Sequence, residues 1–138
     1  MAAKDKFHES TRKALINDGW NITHDPLRLK WIGRPMLIDL GAEQLLAAEK
    51  GTKKVAIEIK SFISASILDD FYHALGQFIL YRKALQKAEP DRELYLAIRE
   101  SVYLKLFLEQ DVEELRVEEN LKLLVFNPDT EEIVKWIV

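Results

Sequence analysis

The clearest pattern in the chain is the alternation over Lys54–Phe62, Lys-Val-Ala-Ile-Glu-Ile-Lys-Ser-Phe. In an extended strand Val55, Ile57 and Ile59 point one way, and Ala56, Glu58 and Lys60 the other. This predicts a strand with one β-branched face and, on the opposite face, a carboxylate beside an ammonium. Met36–Leu40 is a second short apolar run, and it carries one acid, Asp39. Charges inside such apolar strands cost desolvation energy unless they have a partner or a task.

The remaining chain supplies elements around these two. Phe7, Thr11, Ala14, Leu15 and Asp18 recur at helical spacing, predicting a first helix capped by Asp5 and closed by Gly19. Trp20–His24 alternates as a strand, and Pro26 breaks it. Leu27–Ile32 reads as the returning strand of a hairpin, with Gly33-Arg34-Pro35 as the next turn. Gly41 interrupts the Met36–Leu40 strand; Leu45–Glu49 fits strand or helix; Gly51-Thr52 turns the chain into Lys54–Phe62. The longest helix runs from Ser64 or Ser66 to Lys87, with Ile67, Phe71, Leu75, Phe78 and Leu85 on one stripe and Ala74 and Ile79 beside it. Pro90-Asp91 stops it. Glu93–Ile98 follows as a strand, Glu100–Gln110 as a helix, Val112–Glu119 as a short acidic helix and Leu121–Phe126 as a strand. A turn at Asn127-Pro128-Asp129 leads to a last strand, Glu132–Val138. Strands on both sides of a long crossover helix imply one α/β domain over residues 1–138, a mixed sheet flanked by helices.

Composition narrows the class. At 48% hydrophobic and 31% charged residues the chain is globular rather than disordered. No apolar run approaches the ~20 residues of a membrane helix, and the start, Met-Ala-Ala-Lys-Asp-Lys, lacks the apolar core of a signal peptide. With no cysteine, disulfides and thiolate metal sites are excluded, and a cytoplasmic location is expected. The net charge of −3 argues against coating nucleic acid by bulk charge, but leaves room for a local basic groove. Acids concentrate at Glu109–Glu119, which is expected to face away from nucleic acid and toward a protein partner.

Asp39 and Glu58, on strands that can be neighbours, would offer two carboxylates at one place. Such a pair suits Mg²⁺ or Mn²⁺, with the Ile59 backbone carbonyl as a further oxygen ligand. Lys60, on the same face as Glu58, can orient a water or balance charge on a phosphorane. Glu58-Ile59-Lys60 is the one place where an acid stands two before a lysine. An edge-strand ion pair between Glu58 and Lys60, with Asp39 in a turn, explains the same spacing. Gln77 and Tyr81 share a face of the long helix, either as a polar flank of its stripe or as groups aimed at the site. Glu43 reads as a loop acid or a peripheral ligand; Asp25, His8, His24 and His73 read as structural or surface residues. Arg28, Lys30 and Arg34, and Lys50, Lys53 and Lys54, form two basic clusters at hairpin ends, either ordinary solvated turns or candidates for DNA phosphates.

Asp39…Glu58-Ile59-Lys60 resembles the PD-(D/E)xK nuclease signature, with Ile38-Asp39 in place of Pro-Asp. The order helix, three strands, helix, strand resembles the restriction-endonuclease-like core, here with a C-terminal helix and a two-strand extension. Gln77-x-x-x-Tyr81 resembles a motif that follows the Glu-x-Lys strand in some of these nucleases, and Glu9 sits where others place an acid on the first helix. More closely, the chain resembles the XisH family of excision controlling factors from filamentous nitrogen-fixing bacteria. Asp18-Gly19-Trp20, Ile22-Thr23-His24-Asp25-Pro26-Leu27, Ile38-Asp39-Leu40-Gly41-Ala42-Glu43, Ala47-Ala48-Glu49-Lys50-Gly51, Glu58-Ile59-Lys60-Ser61-Phe62, Ala74-Leu75-Gly76-Gln77-Phe78 and Glu132-Ile133-Val134-Lys135-Trp136 carry the likeness over nearly the full length. It implies a role in excising a DNA element during heterocyst development, with a XisI-type protein partner and a site-specific recombinase. Two functions are compatible with this. One is a Mg²⁺-dependent DNA endonuclease or nickase, as a homodimer or in a complex. The other is a non-catalytic scaffold that binds DNA or its protein partner and directs the recombinase.

Overall fold

The computed structural model describes residues 5–45 and 52–138. In chain order its elements are α1 (His8–Asn17), β1 (Asn21–His24), β2 (Leu27–Trp31), β3 (Arg34–Ile38), β4 (Leu40–Leu45), β5 (Thr52–Ile59), α2 (Ile67–Ala88) and β6 (Arg92–Arg99). A helical segment follows, α3 (Glu100–Val102) running into a π-helical turn (Tyr103–Phe107), then α4 (Gln110–Glu118), β7 (Leu123–Asn127) and β8 (Glu132–Ile137). Six strands form the main sheet in the order β1-β4-β5-β6-β7-β8. The β5–β6 and β6–β7 pairs are parallel; β1–β4, β4–β5 and β7–β8 are antiparallel.

Period-2 alternation divides the core. Val55, Ile57 and Ile59, with Leu40, Ala42, Tyr95, Ala97, Leu124 and Phe126, pack under α1 in one cluster with Trp20, and Trp136 packs against it. Ala56, Leu94, Leu96, Ile98, Leu123 and Val125 face α2 and the β2–β3 hairpin on the other side. Both faces are therefore covered, as a sheet with central parallel strands requires. Glu58 shares the parity of Ala56, so its carboxylate stands on the α2 face, buried to 6% exposure.

The helix ends follow local chemistry. Gly19, at φ 88, closes α1: its N–H donates to Ile16 O and that of Trp20 to Leu15 O, a Schellman closure. Asp5 does not cap α1 directly; its Oδ1 accepts from Phe7 N (2.9 Å) in the turn before the helix. Ser66 caps α2 by accepting from Asp69 N. The α2 stripe buries Phe71, Ala74, Phe78, Ala84 and Leu85, while Ile79 is 39% exposed.

The first strands depart from the predicted pairing. β2 pairs with β3, not with β1, and β1 pairs with β4. The registers Leu27↔Ile38 and His24↔Gly41 put Asp25-Pro26 across from Asp39-Leu40. β1–β2 and β3–β4 are thus the arms of one long hairpin, bent where both cross from the main sheet onto the α2 face. Its tip is Ile32-Gly33, so Arg34 and Pro35 belong to β3 rather than to the turn. Gly41 does not end a strand. A Cβ there would meet His24 Nδ1 at 3.0 Å and Arg92 Nη1 at 3.3 Å, so the glycine permits close packing inside β4. Glu43 likewise lies in β4, 3.7 Å from Arg92 Nη2, and is neither a loop acid nor near Glu58. Leu45–Glu49 runs into residues outside those described, and Lys50 is among them.

Candidate functional site

Asp39 sits at the bend, between β3 and β4, where the chain leaves one ladder for the other. Since Leu40 pairs with Ile57, continuing the antiparallel register sets Asp39 against Glu58. The two are joined reciprocally. Asp39 N donates to Glu58 Oε1 (3.3 Å), and Ile59 N donates to Asp39 Oδ2 (2.7 Å). Lys60 Nζ stands 3.6 Å from Glu58 Oε2, its side chain more exposed than that of Glu58, 23% against 8%. The structure therefore brings Asp39, Glu58 and Lys60 to one point, and holds Asp39 with the N–H of the same Ile59 whose carbonyl is the predicted third oxygen ligand.

Electrostatics at this point are strained. Burial first, then the negative charge of Asp39, push the Glu58 carboxyl up to about 9, with Lys60 opposing. A buried carboxyl beside a second negative charge retains a proton at neutral pH, unless a cation takes its place. Hard oxygen donors that repel one another when no cation is present fit a divalent metal. Tyr81, on α2, responds to the same centre. Its phenol is pushed up to about 12, by burial and then by the charges of Glu58 and Asp39. One turn earlier, the Gln77 amide oxygen is buried with no hydrogen-bond partner among the described residues.

This arrangement predicts a stability signature. With the Glu58 carboxyl raised in the folded state, the fold keeps a proton that the unfolded chain releases, so stability falls as pH rises between the ordinary carboxylate range and about 9. In chelator, Glu58→Gln is expected to raise Tm by about 3–8 °C near pH 8, and to flatten its decline over that window. Thermal unfolding followed by circular dichroism checks it. A lower Tm with an unchanged pH slope would mean that Glu58 is not under this strain.

The other candidates lie elsewhere. Glu9 is exposed and gathers with His8 and Asp25, not with Asp39 and Glu58. His8 Nε2 meets Asp25 Oδ1 at 2.7 Å, and Arg12 Nε stands 3.6 Å from Asp25 Oδ2, so a guanidinium already serves that cluster. Lys53 and Lys54 open β5, four or five residues before Glu58, or about 13–17 Å along a strand. Lys54 pairs with Asp91 at 3.6 Å, so these two lysines are not beside the carboxylates. Arg28, Lys30 and Arg34 are exposed on the β2–β3 hairpin. The hydropathy pattern gave no reason to single out His73 or Asp70. Both line a cavity of about 300 Å³ together with Lys60 and Ser64, on the open side of the site. A helical face carrying Asp70, His73, Gln77 and Tyr81 at spacings of three and four was the available signal. A larger cavity, about 590 Å³, is at Tyr103, Phe107 and α4, away from these groups; the polar convergence, not the volume, marks the site.

The profile of the XisH family, described as "XisH protein", matches residues 1–134. Two crystal structures are similar over almost the whole chain. One is an XisH family protein from Nostoc punctiforme, 37% identical, covering 97% of this chain and 100% of its own, with a TM-score of 0.88. The other is an fdxN element excision controlling factor protein from Anabaena variabilis, 40% identical, covering 98% of this chain and 100% of its own, with a TM-score of 0.86. No curated protein matches. Among the described residues no helix is long and apolar enough to cross a membrane.

Proposed function

The chain belongs to the XisH family, and on that footing we propose that it acts in the controlled excision of a DNA element as a divalent-metal-dependent endonuclease or nickase. The observation that carries the chemistry is the pairing of Asp39 with Glu58, whose Oε1 accepts from Asp39 N at 3.3 Å, with the Lys60 ammonium 3.6 Å from Glu58. The main sheet supports the restriction-endonuclease-like reading: α1, then β1, β4 and β5, then α2 and β6, with the β2–β3 hairpin set apart.

Asp39, Glu58 and the Ile59 carbonyl would hold Mg²⁺ or Mn²⁺, which supplies Lewis-acid polarisation of the scissile phosphate. The chain's own groups do the rest. Ile59 N–H fixes Asp39, so the carboxylate is positioned before substrate arrives. Lys60 places a positive charge where negative charge develops in the transition state. The free Gln77 amide oxygen can accept a bond from the attacking water, and the Tyr81 phenol stays protonated and can donate to a phosphate. Cutting both strands takes a second such centre, from a second copy or a partner subunit; a XisI-type partner and a site-specific recombinase belong to the same proposal.

The test is conversion of supercoiled plasmid to nicked or linear DNA in Mg²⁺ or Mn²⁺, with and without a XisI-type partner, for wild type and Glu58→Ala. Wild type should cut and Glu58→Ala should not. Equal cutting by both, or none by wild type under any of these conditions, would leave a non-catalytic scaffold that directs the recombinase.

A further inference from the structure

The β2–β3 hairpin turns on two residues, Ile32 and Gly33, both with left-handed backbones, φ 55 and 68. Such a turn favours Asn-Gly, because a β-branched side chain crowds its own backbone there. Ile32 occupies it nonetheless, and is 81% exposed, so neither local conformation nor burial rewards it. A strained apolar residue held out into solvent points to a contact outside the chain.

The surrounding charge identifies that contact. Between Leu27 and Ile38 there are three cations, Arg28, Lys30 and Arg34, and no acid, in a chain of net charge −3. Arg28 and Lys30 alternate with buried Leu27 and Leu29, which puts them on the outer face. Arg34 pairs across from Trp31 beside the tip, and Lys87 Nζ lies 5.5 Å from the Trp31 ring. Among the described residues none of these four cations is in an ion pair. Cations flanking one projecting aliphatic side chain match a duplex, with phosphates on either side of a groove and stacked bases at its floor. Ile32 and the part-exposed Leu37 are together too little apolar surface to anchor a lipid interface.

We propose that the β2–β3 hairpin is a DNA-gripping arm, with Arg28, Lys30 and Arg34 on phosphates and Ile32 wedged against a base step. This rests on the DNA reading above and adds to it where, and by what, the duplex is held. The hairpin root is Asp39, so the arm and the carboxylates are parts of one β-ribbon, about 20 Å from tip to root.

The experiment uses the full chain in chelator, where cutting plays no part. Binding to a short fluorescent duplex is followed by anisotropy, and unstacking by a base analogue that brightens when it loses its neighbours. Ile32→Asn creates the favoured Asn-Gly turn. It should raise Tm by a few degrees, yet weaken binding about tenfold and abolish the unstacking signal. Alanine at Arg28, Lys30 and Arg34 together should flatten the dependence of log affinity on log salt by up to about 3. If wild type binds and unstacks the duplex and Ile32→Asn does so equally, the wedge is wrong while the DNA reading stands. An unchanged salt slope in the triple variant removes the arm in the same way. If wild type binds no duplex, both fall; binding of anionic vesicles through Ile32 instead would reassign the arm to a membrane surface.

Discussion

Arg92→Ala is expected to lower the unfolding free energy by about 3–5 kcal/mol, a large share of the roughly 5–15 kcal/mol that such a domain possesses. Arg92 opens β6, yet its side chain is 1% exposed. Nη1 donates to Val55 O (2.9 Å) on β5 and to Ala42 O (3.4 Å) on β4, so one guanidinium ties three strands together. Glu89 stands 3.2 Å from Nε and Glu43 3.7 Å from Nη2. Removing it takes one donor from each of two buried carbonyls and the cation from two acids, and leaves a void beside Gly41. Those acids are about a third exposed and can rehydrate, so the lost guanidinium bonds to the carbonyls and the void carry most of the cost. Urea denaturation measures this through a shifted midpoint at an unchanged slope. Lysine should rescue little, since a single ammonium cannot span the same acceptors. A loss below about 1 kcal/mol would show that the strands hold their spacing without it.

Arg92 also shows what hydropathy patterning does not reveal. Its position, just before Glu93–Ile98, reads as an ordinary strand start, and nothing local distinguishes a buried arginine from a solvated one. The alternation itself was legible. Val55, Ile57 and Ile59 on one face, and Leu94, Leu96 and Ile98 facing Ala56 on the other, follow from period 2 because both faces of the central strands are covered. Gly19 was legible, and the start of α2 was narrowed to Ser64 or Ser66, because capping bonds lie within a few residues; the structure selects Ser66.

Strand pairing was less so. Trp20–His24 and Leu27–Ile32 are adjacent in sequence, and Pro26 resembles a hairpin break. The deciding features are a tip turn that places isoleucine where asparagine is favoured, and a bend at Asp25-Pro26 and Asp39 that only the registers reveal. The candidate site divides along the same line. Glu58 and Lys60 share a face by parity alone, and the convergence of Asp39 with them rests on the β4–β5 register, which the sequence suggests but does not fix. Glu9 and Lys54 were placed by element rather than by partner; their neighbours, His8 and Asp25 for one and Asp91 for the other, come from distant parts of the chain.

Lys60→Met is expected to slow DNA cleavage by about 10²–10³-fold while Mn²⁺ affinity stays equal or becomes tighter. The signs differ because, on the proposed chemistry, Lys60 would affect the two processes oppositely. Its ammonium, 3.6 Å from Glu58 Oε2, opposes the rise of the Glu58 carboxyl and competes electrostatically with any cation at the carboxylates. Removing it should leave Asp39 and Glu58 freer to take a metal. The proposed transition state, by contrast, would lose the positive charge facing the phosphorane. Methionine keeps much of the stem, and Lys60 N still donates to Ala97 O (3.1 Å), so the strand end stays in place. Lys60→Arg should recover part of the rate, because the charge returns with a different reach. Mn²⁺ titration followed by electron spin resonance, run beside single-turnover cleavage, separates the two effects. If affinity and rate fall together, Lys60 is a structural partner of Glu58. If neither changes, the charge has no part in the chemistry, and the carboxylates must work with Gln77 and Tyr81 alone.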